Sequence, residues 1–500
     1  MTVIILYTAV LAIAIIKAYK YILHPALFSP LAKLPHAHWS CRVSSRWIDW
    51  HADHKTDNEA IHRAHEKLGP IVRIGKNEVS VNHIDGVKEI YNGPCNRDAW
   101  YQFARNYGVD NMFSYGDKAP HTTRRRVLGN VYAKSTLHSS ENLPRYATQL
   151  IKRQLLPFIY WRESRGESVD AISLFLDFAT DFITSYIFGS GNTADFLGKE
   201  RMPLICNNCA ELDEAPERVR KGEGDARHST EGVALTLMNN LENLRDHAPG
   251  QNATSTEPVV LKRLSQNLFA QIDTTKCPGP SNLKFTIASE LQDHIIAGTE
   301  SSGWTMTYII HELSKRSGLQ DKLREEICSL TELDLKNTLS FSPTTVQTLD
   351  KLPLLDAIIL ETMRVYPGIA GSQPRLVPQS SSTFTVLGHL IPPGTVLSAQ
   401  AYSLHRNAEV FPSPETWDPY RWIEVDSNKR NEMQRWFWAF GSGPRMCIGN
   451  FFAMIELKLV IASIYFNFTS HIIKDDGIQQ GGGYSSGPTG AGIWFGFHKI

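Results

Sequence analysis

From residue 70 the chain reads PIVRIGKNEVSVN, with apolar and polar positions alternating on both sides of Gly75-Lys76-Asn77. That period of two around a turn-forming centre predicts a β-hairpin. A second strand-rich patch, SSTFTVLGHLIPPGTVLSAQ, spans 380–399. Between the two patches the apolar spacing is mostly helical. From Ser281 to about Lys315 it predicts one unusually long helix, with Ser281 as its N-cap after PGPS. NFFAMIELKLVIASIYF, from Asn450, predicts another. Residues 215–257, rich in charge, Gly and small polar side chains, read as a mobile surface connection. No internal repeat appears and no linker divides the body. The pattern implies a mainly helical body with two small sheets.

The N-terminus breaks this pattern. MTVIILYTAVLAIAIIKAYKYILHP is apolar without interruption from Val3 to Ile16. Extended to Leu23, with Lys17 and Lys20 snorkelling, it reaches membrane length. No cation precedes the apolar stretch, as a cleaved signal peptide would require, whereas lysines follow it. A signal anchor with the remaining chain in the cytoplasm is the expectation. Pro25, Pro30 and Pro35 then predict a stiff hinge. The implied organisation is an anchor at 1–23, a proline-rich hinge at 24–36 and a catalytic body at 37–500. No second segment of comparable apolarity is apparent in the body.

Composition narrows the function. Lys plus Arg and Asp plus Glu number 51 each, so no net field favours a polyanion. The single tight basic cluster, Arg124-Arg125-Arg126, reads as a solvated helix face, and nucleic acid is not an expected partner. The seven cysteines are sparse and odd in number, unlike a disulfide framework. Cys206 and Cys209 form a lone CxxC without the second ligand pair that zinc needs.

Chemistry concentrates in FGSGPRMCIGN, Phe440 to Asn450. A metal-ligating thiolate needs backbone N–H groups around it and shelter from water. Gly443 and Gly449 allow the chain to fold closely around Cys447. Phe440 can cover one side, and Arg445 brings positive charge. The helix that follows presents its positive end. An ordinary buried cysteine would account for Cys447 alone, leaving the Phe, the glycines and the Arg at fixed offsets unexplained.

F-x-x-G-x-R-x-C-x-G resembles the heme-binding loop of the cytochrome P450 family. Other segments follow in the family's order. LDAIILETMRVYP carries Glu361 and Arg364 three apart. Glu-x-x-Arg also occurs at Glu217/Arg220, Glu242/Arg245 and Glu432/Arg435, so its position before Cys447 is what singles this pair out. AGTESS, Ala297 to Ser302, resembles the stretch that flanks the oxygen site. HRNAEVFPSPETWDPYRW supplies Arg421.

The resemblance covers essentially the whole chain and implies a cytochrome P450 fold, mainly α with small β-sheets, on an N-terminal transmembrane anchor. It implies heme b with Cys447 as axial thiolate, which pushes electron density onto the iron. It implies Glu300 and Ser301 as the proton-relaying acid and alcohol. Ser301 stands where threonine is usual, so the hydroxyl remains without the methyl that fixes its rotamer. His121, Arg125, Arg375 and Arg445 are the implied propionate contacts, with Phe440, Gly443 and Gly449 completing the cofactor loop. Glu361, Arg364 and Arg421 form an implied structural network. Tyr101, Phe103, Tyr107, Met112, Phe113, Ile369 and Ala370 fall where the family lines its pocket.

The function implied is a heme-thiolate monooxygenase that inserts one atom of dioxygen into an apolar molecule. Electrons come from a separate NADPH-cytochrome reductase, with Lys429, Arg430 and Arg435 as candidate basic contacts. The wording resembles microsomal fungal enzymes of secondary metabolism, which implies an endoplasmic reticulum membrane and a cytosol-facing body. Two alternatives stay open. One is a heme-thiolate enzyme that isomerises, dehydrates or couples without inserting oxygen. The other is a non-catalytic, membrane-tethered heme-binding protein.

Overall fold

The expected hairpin is present: Ile71–Gly75 pairs antiparallel with Glu78–Val81. The structure, a computed structural model, describes residues 2–197, 232–239, 258–271, 280–336, 340–381, 383–490 and 492–500. The hairpin opens a five-stranded sheet in the order Ile71–Gly75, Glu78–Val81, Val396–Ser398, Arg375–Leu376, Asn96–Arg97. The patch at 380–399 therefore splits. Thr385–Val386 and His389–Leu390 pair with each other, while Val396–Ser398 runs parallel to the first hairpin's second strand. A third sheet, Val169–Asp170, Ile493–Lys499 and Phe468–Asp475, goes beyond the two expected. Its strands pair only after a long return of the chain, which local periodicity does not register.

The long helix is Pro280–Ser314, so Ser281 lies inside it rather than capping it. It packs along Ala171–Phe188, whose sequence, AISLFLDFATDFITSYIF, is apolar on nearly every face. That helix and Asn450–Asn467 are long and apolar enough to cross a membrane. This corrects the expectation that no segment after the N-terminus matches it in apolarity. Both are largely buried in the body, and a helix packed on all sides reads like a span. Around them lies the larger core; a smaller one lies beneath the hairpin sheet.

The N-terminal helix, Thr2–Ala18, continues as wider helical turns, Tyr19–Phe28. Pro25 sits within this path, and Pro30 opens the next short turn. The apolar run Ile4–Phe28 stands outside the body and is a candidate membrane anchor. Most of 215–257, together with Cys206, Cys209 and two of the competing Glu-x-x-Arg pairs, lies outside the described residues.

Candidate functional site

The loop around Cys447 is built from close approaches. Gly441 and Gly443 hold positive φ, +66° and +69°. A Cβ on Gly443 would fall 2.3 Å from Asn92 Oδ1 and 2.8 Å from the Tyr91 carbonyl oxygen, so only glycine fits. One turn, Gly443–Arg445, follows, and Cys447 N–H donates to the Phe440 carbonyl at 2.9 Å. Phe440 packs against the main core. Gly449 differs from expectation: its φ is −89°, and a Cβ there would meet no protein atom within 4 Å. The bareness of Gly449 serves no protein neighbour.

Cys447 lies deep in the body and its surface is nevertheless open, so it faces an interior space. Burial pushes its thiol up, while the Gly449 N–H and the Arg125 charge pull the other way. A thiolate here calls for a further positive charge, as a metal ion provides. On the long helix, Ala297 is exposed between buried neighbours.

Positive charge gathers around that space. Arg125 donates to the Met446 carbonyl at 2.6 Å, which draws its helix, Lys118–Leu128, onto the cysteine loop. Arg445 donates to the carbonyls of Gly116 at 3.1 Å and Asp117 at 2.9 Å. Arg375 donates to Tyr101 Oη at 3.0 Å and lies over the Tyr91 ring. Arg97, which the sequence did not single out, donates to the Phe113 carbonyl and stacks on Tyr101 and Phe113. Its Nε is buried without a partner. Burial, then repulsion by Arg97 and Arg375, brings Arg445 down to about 9. Burial and the charges of Arg445, Arg97, Arg125 and Arg375 bring His121 to about 3. Among the described residues none of these four guanidiniums is ion-paired to a carboxylate; Asp293 acts on Arg97 only from a distance.

The second arginine cluster is closed. Glu361 is fully buried and accepts from Arg364 Nε at 2.9 Å and Nη2 at 2.8 Å. It also accepts from Arg421 Nε, Trp422 Nε1 and the Asp418 N–H, each at 2.9 Å. Arg364's other donors reach the carbonyls of His405, Pro414 and Thr416. His405, not foreseen, joins this cluster to the cysteine loop. Its Nδ1–H donates to the Arg364 carbonyl at 2.9 Å, and its Nε2 accepts the Trp438 N–H at 2.7 Å. Trp438 in turn donates to Ser442 Oγ.

On the long helix, Ser301 Oγ donates back to the Ala297 carbonyl at 2.7 Å. Glu300 accepts from Ser485 Oγ at 3.3 Å. Ser302 donates to Glu456 Oε2 at 2.7 Å; burial raises Glu456 to about 8, and its Oε1 has no partner. Tyr101, Phe103 and Phe113 meet edge to face, joined by Tyr484 from the C-terminal glycine-rich loop. Ring sizes alone gave no signal that Tyr484 belongs there. Lys429, Arg430 and Arg435 are bound locally, to Glu432, the Trp422 carbonyl and Asp85.

The family model described as Cytochrome P450 matches residues 266–481. Cytochrome P450 monooxygenase avaI of Aspergillus versicolor is 28% identical over 80% of this chain and 96% of its own. Tryprostatin B 6-hydroxylase of Aspergillus fumigatus is 25% identical over 92% of this chain and 78% of its own. A crystal structure of a cytochrome P450 superposes with a TM-score of 0.71 at 16% identity, covering 93% of this chain and 99% of that one.

This chain belongs to the cytochrome P450 family. It is a heme-thiolate monooxygenase by family, an oxidoreductase that carries heme with a cysteine thiolate ligand and works with a redox-partner reductase on organic molecules. The residues of this P450 fit that cofactor. An open thiol faces an interior space, a Cβ at Gly449 would project into room without protein, and four buried cations lack an anion. An iron porphyrin with two carboxylates answers each of these needs.

Proposed function

We propose that Cys447 ligates the heme iron and that Arg97, Arg125, Arg375, Arg445 and His121 receive the propionates. The carrying observation is the interior cysteine within a ring of guanidiniums that lack carboxylate partners. When bound, the heme supplies oxygen activation from dioxygen and two electrons. The chain does the rest. Gly443 sets the loop's close turn, and Arg125 ties helix Lys118–Leu128 to the Met446 carbonyl. Ser301 gives its hydrogen to Ala297, which leaves its oxygen free to accept a proton-bearing water. Glu300 holds the next proton position, steadied by Ser485.

The substrate is an apolar organic molecule, because Tyr101, Phe103, Phe113 and Tyr484 form the aromatic group beside the cationic ring. The reaction is hydroxylation or epoxidation of a fungal secondary metabolite, a class to which the named relative Tryprostatin B 6-hydroxylase points. The anchor places the protein in the endoplasmic reticulum membrane with its body in the cytosol, and the donor is NADPH-cytochrome reductase.

The Ser301 hydroxyl, already spent on the helix, also favours a second reading in which the P450 rearranges or couples its substrate without inserting oxygen. The test is expression with a reductase in a host, comparison of metabolites with and without the protein, and labelled dioxygen. Label in the product is the expected result. Turnover without label supports the second reading, and a reduced carbon monoxide spectrum unchanged in Cys447→Ser would displace the ligand assignment.

A further inference from the structure

Arg73 is an oddity outside the heme site. It is a strand residue, 1% exposed, in the hairpin beneath the smaller core. A buried guanidinium ordinarily needs a carboxylate. Here all the acceptors are carbonyls: Gly75 at 3.2 Å, Arg42 at 3.0 Å, Lys76 at 2.5 Å and Pro25 at 3.0 Å. Pro25 belongs to the last turns of the N-terminal helical path and is itself buried. The Arg73 backbone adds two bonds to the same stretch, accepting from Ala37 and donating to Pro35. Leu31 and Leu34 are buried in the core beneath the hairpin. Lys76, at the hairpin turn, lies over the Tyr21 ring at 5.0 Å. The proline hinge is thus fastened to the body along its length.

This has a geometric consequence. The run Ile4–Phe28 is a candidate span, and its final turns touch the hairpin. A body held that close to the end of a span cannot stand clear of the bilayer. The surface continuous with those turns is suited to lipid. Leu27 and Phe28 are 60% and 63% exposed, and Trp39 and Trp50 are 72% and 55% exposed. The Tyr19–Phe28 turns touch Trp39–Arg42, which touches the helix Arg46–Asp53. Lys33 and Arg46 are exposed among them. Tryptophan with interspersed cations is the composition of a membrane interface.

We propose that the body rests on the bilayer its anchor enters, through Leu27, Phe28, Trp39 and Trp50, and that Arg73 fixes this pose by welding the hinge to the hairpin. The inference rests on the anchor reading. Its test uses the full, heme-loaded chain in phosphatidylcholine vesicles carrying a shallow spin label on the lipid. The expected result is tryptophan quenching that Trp39→Ser and Trp50→Ser each reduce and the double variant reduces further. Equal quenching in wild type and double variant overturns the lipid contact. Trypsin cleavage at Lys33 reads the weld. Arg73→Gln should speed cleavage about tenfold, the size expected on losing a buried charged hydrogen-bond group. If that variant does not fold, Tyr21→Ala and Lys76→Ala, which lose only the ring contact, should speed it to a smaller degree. Equal cleavage in every folded variant overturns the weld. Extraction at alkaline pH separates the two readings: release of wild type from vesicles defeats the anchor, whereas retention with unchanged quenching defeats only the lipid-facing pose.

Discussion

The protein has two buried arginine clusters, and they are built on opposite plans. Around Glu361, Arg364 and Arg421 share one carboxylate, and their remaining donors end on named carbonyls. Around Cys447, Arg97, Arg125, Arg375 and Arg445 repel one another without a carboxylate partner. The first cluster is complete as protein and holds the fold. The second is complete only with an anion, so it stores unfavourable charge that cofactor binding relieves. Saturation by protein groups marks structure, and a shared deficit marks a binding site.

Several substitutions would break or sharpen this contrast. The largest effect is expected from Cys447→Ala, which should abolish the thiolate-type Soret band of the reduced carbon monoxide complex while the far-ultraviolet dichroism of the chain persists. Glu361→Ala should come next. It strands two buried guanidiniums and should cost about 3–5 kcal/mol in denaturant unfolding, with or without heme. Arg445→Leu should act the other way round. Heme transfer to a scavenger should quicken by about tenfold, the worth of one charge-assisted contact, while the heme-free chain unfolds at the same or higher denaturant because repulsion is relieved.

The smallest effect is in pH. Burial, followed by the Arg364 charge, holds His405 at about 3, and His121 is also at about 3. The unfolded chain takes up these protons near 6.5, and the folded chain resists until about 3. Stability should therefore be whole above 6.5 and fall as pH drops through that window. His405→Gln should flatten the slope in heme-free and heme-loaded protein alike. His121→Gln should flatten it more in the heme-free protein, because bound propionates would offset the charges that depress His121. Equal slopes in both forms would place His121 away from the propionates.

Much of this was readable from local pattern. The hairpin at Gly75-Lys76-Asn77, the long helix from Pro280 and the turn demanded by Gly443 follow from spacing and backbone sterics within a few residues. Glu361 and Arg364 share a helix face at three residues' separation, so their pairing needed only the helix. Arg97, His405 and Tyr484 were not readable in that way. Each is an ordinary residue in a loop or short turn, and its partner lies far along the chain.

The sequence by itself determined the elements, the candidate anchor and the thiol-bearing loop, because those depend on short-range periodicity and on what a glycine or a proline permits. Only the tertiary structure decided which arginines lack an anion, that Gly449 borders empty room and that Arg73 holds the hinge. Those are properties of burial. Whether a charge is costly or satisfied depends on what distant segments bring to it once water has been removed.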